Sequence, residues 1–462
     1  MPSVSVTVPA QRRPWLAYLG PACMVSVGYM DPGNWATDLE GGARFGHQLL
    51  WVLVLSNVMA LLLQSLSAKL GLVSGLDLAQ ACRDGYTKTV SVTLWLGAEI
   101  AIIACDLAEL LGSAIALNLL FEMPLVLGAI VTSLDVLLIL WLERRGAGRL
   151  EAIVCALLVT IALCLGVEVV WAEPDLAQMS AGLIPRLNGE NLYVAIGILG
   201  ATVMPHNLYL QSGLLRKTSD YPAPEQRRAL SRSFWSTALA LNLALLVNAA
   251  ILVLAGTVFA GRSPPVDDLA EAHRLLAPLL GATSASILFA VGLLCSGQSA
   301  TITGTIAGQL VMEGFVGLRV RPWLRRAITR GLALVPAVVV LSIAGEHSTL
   351  ALLVASQVVL SLQLPFAIVP LIRLTSASHL MGEFTTRPLI RNLASACALV
   401  VILANAALVV RLVGDLSETS PRAASLVATF ALASLVFLVW IACVPLRGAT
   451  KPALAEPLRA AT

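Results

Sequence analysis

The sequence predicts an all-α integral membrane protein, and three observations lead to this fold class. Of its 462 residues, 58% are hydrophobic and only 12% are charged, which is about half the charged fraction of soluble domains. The mean hydropathy is +0.85, and apolar runs of about 20 residues, the length of a membrane-spanning helix, recur along the chain. Aromatic residues make up 5%, and no segment shows the alternating strands of about ten residues that a membrane β-barrel requires.

Dividing the apolar runs at proline, glycine and charge clusters gives roughly twelve candidate helices. They lie near residues 15–41, 47–73, 91–121, 124–142, 150–171, 191–215, 233–260, 277–315, 327–344, 349–372, 392–413 and 424–445. The twelfth follows a polar connection, GDLSETSPR at 414–422, and is interpreted as an appendage to the core.

The distribution of basic residues predicts how the chain is oriented. The net charge of +3, from 30 Lys and Arg against 27 Asp and Glu, is too balanced for nucleic-acid binding. With the N-terminus inside, only six basic side chains fall on the outer side: Arg44, Arg186, Arg262, Arg274, Arg411 and Arg422. Because inner loops of membrane proteins are enriched in Lys and Arg, we expect a multi-pass protein of the cell membrane with both termini cytoplasmic. The N-terminus shows no removable signal sequence.

Two spans differ from the others because proline and polar residues interrupt them midway. The first contains Pro32 in the run GYMDPGNWATD, and the sixth contains Pro205 in GATVMPHNLYL. Each proline lacks an N–H and disfavours helix in the residue before it, which frees carbonyl groups in the preceding turn. The interrupted spans are five helices apart, and an odd repeat length makes the second unit run inverted to the first. Such paired interruptions are typical of the binding site of a secondary transporter.

The residues at the two interruptions are candidate ligands of a metal ion. Asp31 lies halfway through the first span, where an isolated carboxylate is costly and requires a partner. Its oxygens, the Asn34 carbonyl and freed backbone carbonyls such as those of Gly28 and Ala201 form a hard-oxygen set. Met204 adds one soft sulfur, which favours later divalent transition ions over Mg²⁺ or Ca²⁺. The alternative for Met204 is ordinary packing.

The third span carries three carboxylates on one helical stripe. Glu99, Asp106 and Glu109 are spaced by seven and three residues. Carboxylates inside a span suggest a proton relay or a hydrated path, and the alternative is a set of ion pairs with basic partners. His206 is the only one of the five histidines placed in mid-membrane, and it is either a proton carrier or a simple hydrogen bonder. Asp135 in the fourth candidate helix is unexplained by the sequence.

The sequence contains no motif of an enzyme. The eight cysteines show no paired spacing and are interpreted as small core residues. There is no HExxH, no GxSxG and no pair of catalytic histidines, so we predict that the chain is not an enzyme and has no cofactor.

These residues resemble the natural resistance-associated macrophage protein (Nramp) family of proton-coupled divalent metal transporters, and specifically its bacterial manganese transporters. The resemblance runs from about residue 16 to 415, and the motifs that carry it are DPGN at 31–34, ACDLAE at 104–109, GATVMPHN at 200–207, WLRR at 323–326 and SQVVLS at 356–361. DPGN together with MPH in the sixth span is highly specific.

The resemblance implies two inverted five-helix repeats of the LeuT-like fold, with one or two extra C-terminal helices. The implied divisions are a cytoplasmic tail at 1–14, repeats at 15–172 and 173–372, and additional helices and a tail at 373–462. It implies alternating access, import of Mn²⁺ and also Fe²⁺ and Cd²⁺ together with protons, and function as a monomer in the lipid bilayer. The metal ligands it implies are Asp31, Asn34 and Met204, the backbone carbonyls of Gly28 and Ala201, and Gln357 in an occluded state. The proton-pathway residues it implies are Asp106 and Glu109, joined by Glu99, His206, Arg325 and Arg326.

One position departs from the family pattern. Many bacterial members carry a second histidine five residues after the first, in the context YLHS, whereas this chain reads YLQS with Gln211. Glutamine cannot exchange a proton, so the departure bears on proton coupling and not on metal binding.

Three other functions fit part of the pattern. A transporter of the same architecture for an amino acid or other organic solute, coupled to Na⁺ or protons, would offer backbone N–H groups to a carboxylate, which Asp31 would repel. A membrane-embedded metal-dependent enzyme would need more than one mid-membrane histidine. A metal-sensing receptor would have no use for two interrupted helices.

Overall fold

The computed structural model describes residues 16–135, 147–188, 191–216, 222–262, 266, 269–280, 283–317, 321–344 and 349–447. Every regular element in these ranges is a helix. The predicted N-terminal tail at 1–14, the end of the fourth predicted span at 136–142 and the last residues of the C-terminal tail at 448–462 lie outside them.

The helices of the first half surround an interrupted first span. Their bounds are α1 Leu16–Val27, a 3₁₀ turn Gly28–Met30, α2 Pro32–Phe45, α3 Leu50–Ser74, α4 Leu78–Gly85, α5 Lys88–Phe121, α6 Leu125–Ser133 and α7 Ala147–Ala172. Side chains fix several of the starts: Asp31 caps α2, Asp77 forms a capping box with Gln80 on α4, and Thr87 caps α5. Each cap satisfies a backbone N–H that the first turn leaves unpaired.

The second half repeats this order with an interrupted sixth span and continues with two further long helices. Their bounds are α8 Leu176–Ala181, α9 Leu192–Thr202, α10 Pro205–Leu214, α11 Ala223–Val258, α12 Leu269–Leu280, α13 Thr283–Val316, α14 Pro322–Ala344, α15 Thr349–Thr375, α16 Ser378–Met381, a 3₁₀ turn Gly382–Phe384, α17 Pro388–Thr419 and α18 Pro421–Cys443. Within the described residues, ten helices are long and apolar enough to cross a bilayer, with α9 and α10 taken together.

Three predicted boundaries are wrong. The polar connection expected at 414–422 is helical up to Thr419, because its polar residues lie on an exposed face that a helix tolerates. The seventh helix begins at Ala223 rather than 233, since its first turns carry charges that an apolar criterion excludes. The predicted run 277–315 covers two helices, because α12 ends at Leu280 and α13 begins at Thr283.

The packing of the helices follows the internal repeat. The third span, α5, and the eighth span, α13, pack along each other. The last span of the first unit, α7, packs against α13, and the last span of the second unit, α15, packs against α5. In the same way α2 packs against α11, and its counterpart α10 packs against α3. The two interrupted spans therefore occupy equivalent places in the two units, and both of them contact the α5/α13 pair and each other.

Candidate metal centre

The first interruption is held open by side chains from distant helices. After the 3₁₀ turn, Asp31 adopts an extended conformation with ψ 165° before α2 begins at Pro32. The carbonyl of Tyr29 accepts a hydrogen bond of 2.8 Å from Asn248 Nδ2 on α11, and the carbonyl of Met30 accepts one from Ser296 Oγ on α13. These bonds satisfy backbone groups that lipid could not satisfy, so the interruption is part of the packed interior.

The second interruption is also an extended segment that ends at a proline, but it contains no charged residue. Val203 and Met204 are extended between α9 and α10, which begins at Pro205. In a continuous helix each carbonyl accepts from the N–H four residues later. The carbonyls of Gly28 and Ala201 stand four residues before Pro32 and Pro205, which have no N–H to donate.

Asp31 is bound only by neutral donors. One carboxylate oxygen accepts from the backbone N of Asn34 at 2.9 Å and from its Nδ2 at 2.6 Å, and the other accepts from Gln357 Nε2 at 3.1 Å. Asp31 is completely buried, and no ion pair within the described ranges includes it. Asn34 Oδ1 and Gln357 Oε1 are buried there without a hydrogen-bond partner. The structure thus joins three predicted ligands and leaves two neutral oxygens available beside one negative charge.

The other predicted ligands lie on the elements around this carboxylate. Met204 is completely buried and packs in a small apolar cluster with Ala101, Cys105 and Leu360, the last one turn after Gln357 on α15. Gly28 lies against the side chain of Asn207 on α10, and a Cβ at residue 28 would overlap that amide. The first interruption is therefore in direct contact with the second broken span.

The predicted carboxylate stripe on α5 faces arginines of α14. Glu99 accepts from Arg325 Nη2 at 3.0 Å and from Trp95 Nε1 at 3.1 Å. Asp106 Oδ1 lies 3.9 Å from Arg330 Nη1, which also donates to the Asp106 carbonyl. Glu99 and Asp106 therefore form the ion pairs with basic partners that the alternative interpretation expected. Arg326 is buried on α14. Their predicted roles in proton transfer remain predictions.

Glu109 differs from the other two acids of the stripe. Its Oε1 accepts from the thiol of Cys105 at 3.3 Å, and that sulfur lies 3.9 Å from Nε2 of His206. Glu109 and His206 are both buried, and a Cβ at residue 304 would stand 3.0 Å from the Glu109 carboxylate. The cysteine thus stands between the two predicted proton-pathway residues on α5 and α10. All eight cysteines are free thiols, of which four are buried as core residues, three are partly buried and Cys443 is exposed.

Sequence reasoning missed several buried charges. Arg330 also donates to Asp135 at 2.5 Å, which gives that carboxylate the partner the sequence did not supply. Asp38, one turn after Asn34, and Glu168 on α7 are fully buried, and neither has a side-chain hydrogen-bond partner within the described ranges. Arg330, Asp38 and Glu168 each lie within a predicted apolar span, so a search for every charged residue inside such a span would have found them. In the same ranges no cluster of three or more His, Cys, Asp or Glu side chains is placed to hold a metal, so the candidate centre combines the single carboxylate of Asp31 with neutral oxygens and sulfur.

Comparison with known proteins identifies the family. Residues 22–411 match the family described as natural resistance-associated macrophage protein-like. A relative from Xanthomonas campestris pv. campestris, named divalent metal cation transporter MntH, is 54% identical over 409 residues, covering 86% of this chain and 92% of the relative. A protein of the same name from Nostoc sp. is 50% identical, covering 87% of this chain and 93% of the relative.

Solved structures agree with the sequence comparison. A manganese transporter of Eremococcus coleocola, solved in complex with an aromatic bis-isothiourea substituted compound, superposes with a TM-score of 0.87 at 34% identity, covering 95% of this chain and 98% of that chain. Mhp1, a nucleobase-cation-symport-1 family transporter, superposes with a TM-score of 0.58 at 14% identity over 92% of both chains, which shows a shared fold alone. The predicted LeuT-like fold is therefore confirmed, and the chain belongs to the Nramp family.

Proposed function

We propose that this protein is a secondary active transporter that imports divalent transition metal ions by alternating access. The observation that carries the proposal is Asp31, a fully buried carboxylate that binds only neutral amide donors at the junction of two broken spans. A buried charge without a counter-charge is costly, and a divalent cation would supply the missing positive charge. The names of the relatives, which describe divalent metal cation and manganese transporters, support the same substrate class.

The ligand set we propose is Asp31, Asn34, Met204 and the carbonyls of Gly28 and Ala201, with Gln357 joining when the site is closed. The free oxygens of Asn34 and Gln357 support the two amides as ligands. One thioether among oxygen ligands favours Mn²⁺, Fe²⁺ and Cd²⁺ over Mg²⁺ and Ca²⁺. Metal ions are substrates here and not resident cofactors.

The second part of the proposal is that metal import is coupled to the movement of protons. We assign the transfer to Asp106 and Glu109, with Glu99, His206, Arg325 and Arg326 as participants. The contact series from Glu109 through Cys105 to His206 supports a connection between the carboxylate stripe and the half-helix that carries Met204. Gln211, which donates to Thr237 at 3.1 Å, offers no titrating group to that series.

The proposed setting is the cell membrane, with the protein acting as a monomer and both termini in the cytoplasm. The uneven distribution of the 30 basic residues supports this orientation. An organic solute with a carboxylate is disfavoured as substrate because Asp31 would repel it in the same place.

The test is ion uptake into proteoliposomes that contain the purified chain, an internal metal-sensitive dye and an internal pH dye. Mn²⁺, Fe²⁺, Cd²⁺, Mg²⁺ and Ca²⁺ are compared at equal concentrations under an inward proton gradient. We expect uptake of the first three, exclusion of the last two, and acidification of the lumen that depends on the metal.

Two outcomes would contradict the proposal in different ways. If the vesicles take up a labelled amino acid and no Mn²⁺, the substrate is an organic solute and not a metal ion. Mn²⁺ uptake without any change of internal pH, at every gradient applied, would remove proton coupling and leave metal transport standing.

A further inference from the structure

A cleft leads from the surface to the candidate metal centre, and we name it the α2 cleft. It is a narrow cleft of about 30 Å³ between α2, α9, α15 and α17, and its lining includes Thr37, Glu40, Tyr193, Ser361 and Gln357. Gln357 forms the inner end, where its amide donates to Asp31. With the proposed orientation, this cleft opens to the outside of the cell.

Glu40 is the charged side chain in the lining of this cleft, and it lies about two and a half turns of α2 beyond Asp31. Between them, Thr37 lines the cleft and donates to the backbone carbonyl of Asn34 at 3.1 Å. The cleft therefore contains one negative charge near its mouth and another just behind its inner end, with hydroxyl and amide groups between.

The partner of Glu40 is a side chain that water can replace. Arg44, one turn further along α2, donates to Glu40 at 2.7 Å, and its side chain is 45% exposed. The Glu40 side chain is 15% exposed, so the pair is open to water mainly on the arginine side, where ion pairs are weakened and screened by salt. A cation that enters the cleft can take the place of Arg44 by breaking one ion pair that is open to water on the arginine side.

We propose that Glu40 is an entry site for hydrated divalent cations, which it binds through their water shell before they lose water and reach Asp31. This inference rests on the proposed function. Because a carboxylate acting through water discriminates little among ions of equal charge, the entry site should take Mg²⁺ and Ca²⁺ as readily as Mn²⁺. Selection then belongs to the inner ligands alone.

The experiment measures Mn²⁺ uptake at low ionic strength in proteoliposomes that contain the full chain. Glu40→Gln should raise the KM for Mn²⁺ about fivefold and leave kcat unchanged, since one charge at a cleft mouth acts mainly on encounter. The difference should vanish at about 0.5 M salt, where screening is nearly complete. Mg²⁺ should inhibit uptake competitively in the parent and several-fold less in Glu40→Gln. Glu40→Asp, which keeps the charge, should recover most of the lost apparent affinity.

Two arginine variants separate this role from a structural ion pair. Arg44→Gln should lower the KM, because it frees Glu40 for the cation. Arg411, stacked 4.6 Å over the ring of Tyr193 at the same cleft, is the matched control, since Arg411→Gln removes a nearby positive charge without touching Glu40. The control should therefore change the KM less than Arg44→Gln does.

Three results would overturn the entry site. The first is an unchanged KM in Glu40→Gln while the parent transports Mn²⁺, which leaves the proposed function intact. The second is a fall in kcat in both Glu40→Gln and Arg44→Gln, which would make the pair structural. The third is absence of Mn²⁺ uptake by the parent, which contradicts the proposed function and with it the entry site.

Discussion

Asp31 and Asp106 are both buried aspartates within membrane spans, yet their surroundings are opposite. Asp31 accepts hydrogen bonds from the neutral amides of Asn34 and Gln357. Asp106 lies beside the guanidinium of Arg330, which also binds Asp135. The neutral donors stabilise the geometry of Asp31 but leave its charge uncompensated, whereas the arginine supplies a counter-charge. The difference teaches that a buried carboxylate indicates a cation site only when its partners are known to be neutral.

The largest effect should follow from neutralising the uncompensated carboxylate. Asp31→Asn keeps the shape and the oxygen that caps α2, but it removes the only negative charge among the proposed ligands. By analogy with breaking a buried ion pair, about 3 to 5 kcal/mol, Mn²⁺ affinity should fall more than about 100-fold. Calorimetric titration measures the affinity, and the melting temperature should not fall. Unchanged Mn²⁺ affinity in a monodisperse variant would refute the ligand assignment.

At the site where Arg330 neutralises Asp106 and Asp135, a substitution should lower the stability of the protein and not its affinity for metal. Arg330→Met leaves Asp135 without its 2.5 Å partner and Asp106 without a nearby cation. We expect a loss of about 3 kcal/mol in the free energy of unfolding, the lower end of the range for breaking a buried pair. Thermal unfolding in detergent measures it.

A second variant serves as control for that loss. Arg330→Met combined with Asp135→Asn should regain part of the stability, because one stranded charge is removed. If the single variant is as stable as the parent, the ion pair contributes nothing and the comparison between the two sites fails.

The carboxylate of the paired site also tests the proton pathway. Asp106→Asn should keep Mn²⁺ affinity within about twofold. Metal-driven acidification of the lumen should fall at least about tenfold, because a side chain that relays protons must be able to gain and lose one. Radiolabelled Mn²⁺ uptake and the pH dye are read in the same vesicles. Normal acidification in the variant would make the α5 stripe structural, and His206 would be examined next.

The smallest effect should come from the neutral sulfur ligand. Met204→Ala should reduce Mn²⁺ transport only about threefold, because the oxygen ligands remain, but it should admit Ca²⁺ or Mg²⁺ and affect Cd²⁺ most. Competition of each ion against labelled Mn²⁺ gives the selectivity. A variant that still rejects Ca²⁺ and Mg²⁺ as strongly as the parent would show that Met204 only packs against Cys105 and its neighbours.

The sequence predicted the interruptions but not the contacts that hold them. Pro32 and Pro205 show where a helix must break, because a missing N–H is a local property of the chain. The donors that satisfy the first break, Asn248 and Ser296, lie more than 200 residues away in sequence, and no local pattern indicates which polar residue faces which carbonyl.

For the carboxylates of α5 as well, the sequence predicted their shared helix face but not the residues that they contact. Helical spacing placed Glu99, Asp106 and Glu109 on one face, and that face does meet another helix. Whether arginines or water would meet it depended on the register of α14, which periodicity does not give. The structure buries Arg330 on α14 between Asp106 and Asp135, a placement that periodicity does not indicate.

The two prolines also determine which kinds of genetic change this chain tolerates. The carbonyls of Gly28 and Ala201 lack the usual α-helical partner because each stands four positions before a residue without an N–H, and this count is set by the pitch of the helix. A substitution between carbonyl and proline alters a side chain and leaves that count intact. Insertion or deletion of a single codon there moves the proline opposite a different carbonyl and rotates the ligands by about 100°. At the positions other than Asp31 and Met204, length between residues 28 and 32, and between 201 and 205, is therefore under stricter constraint than identity.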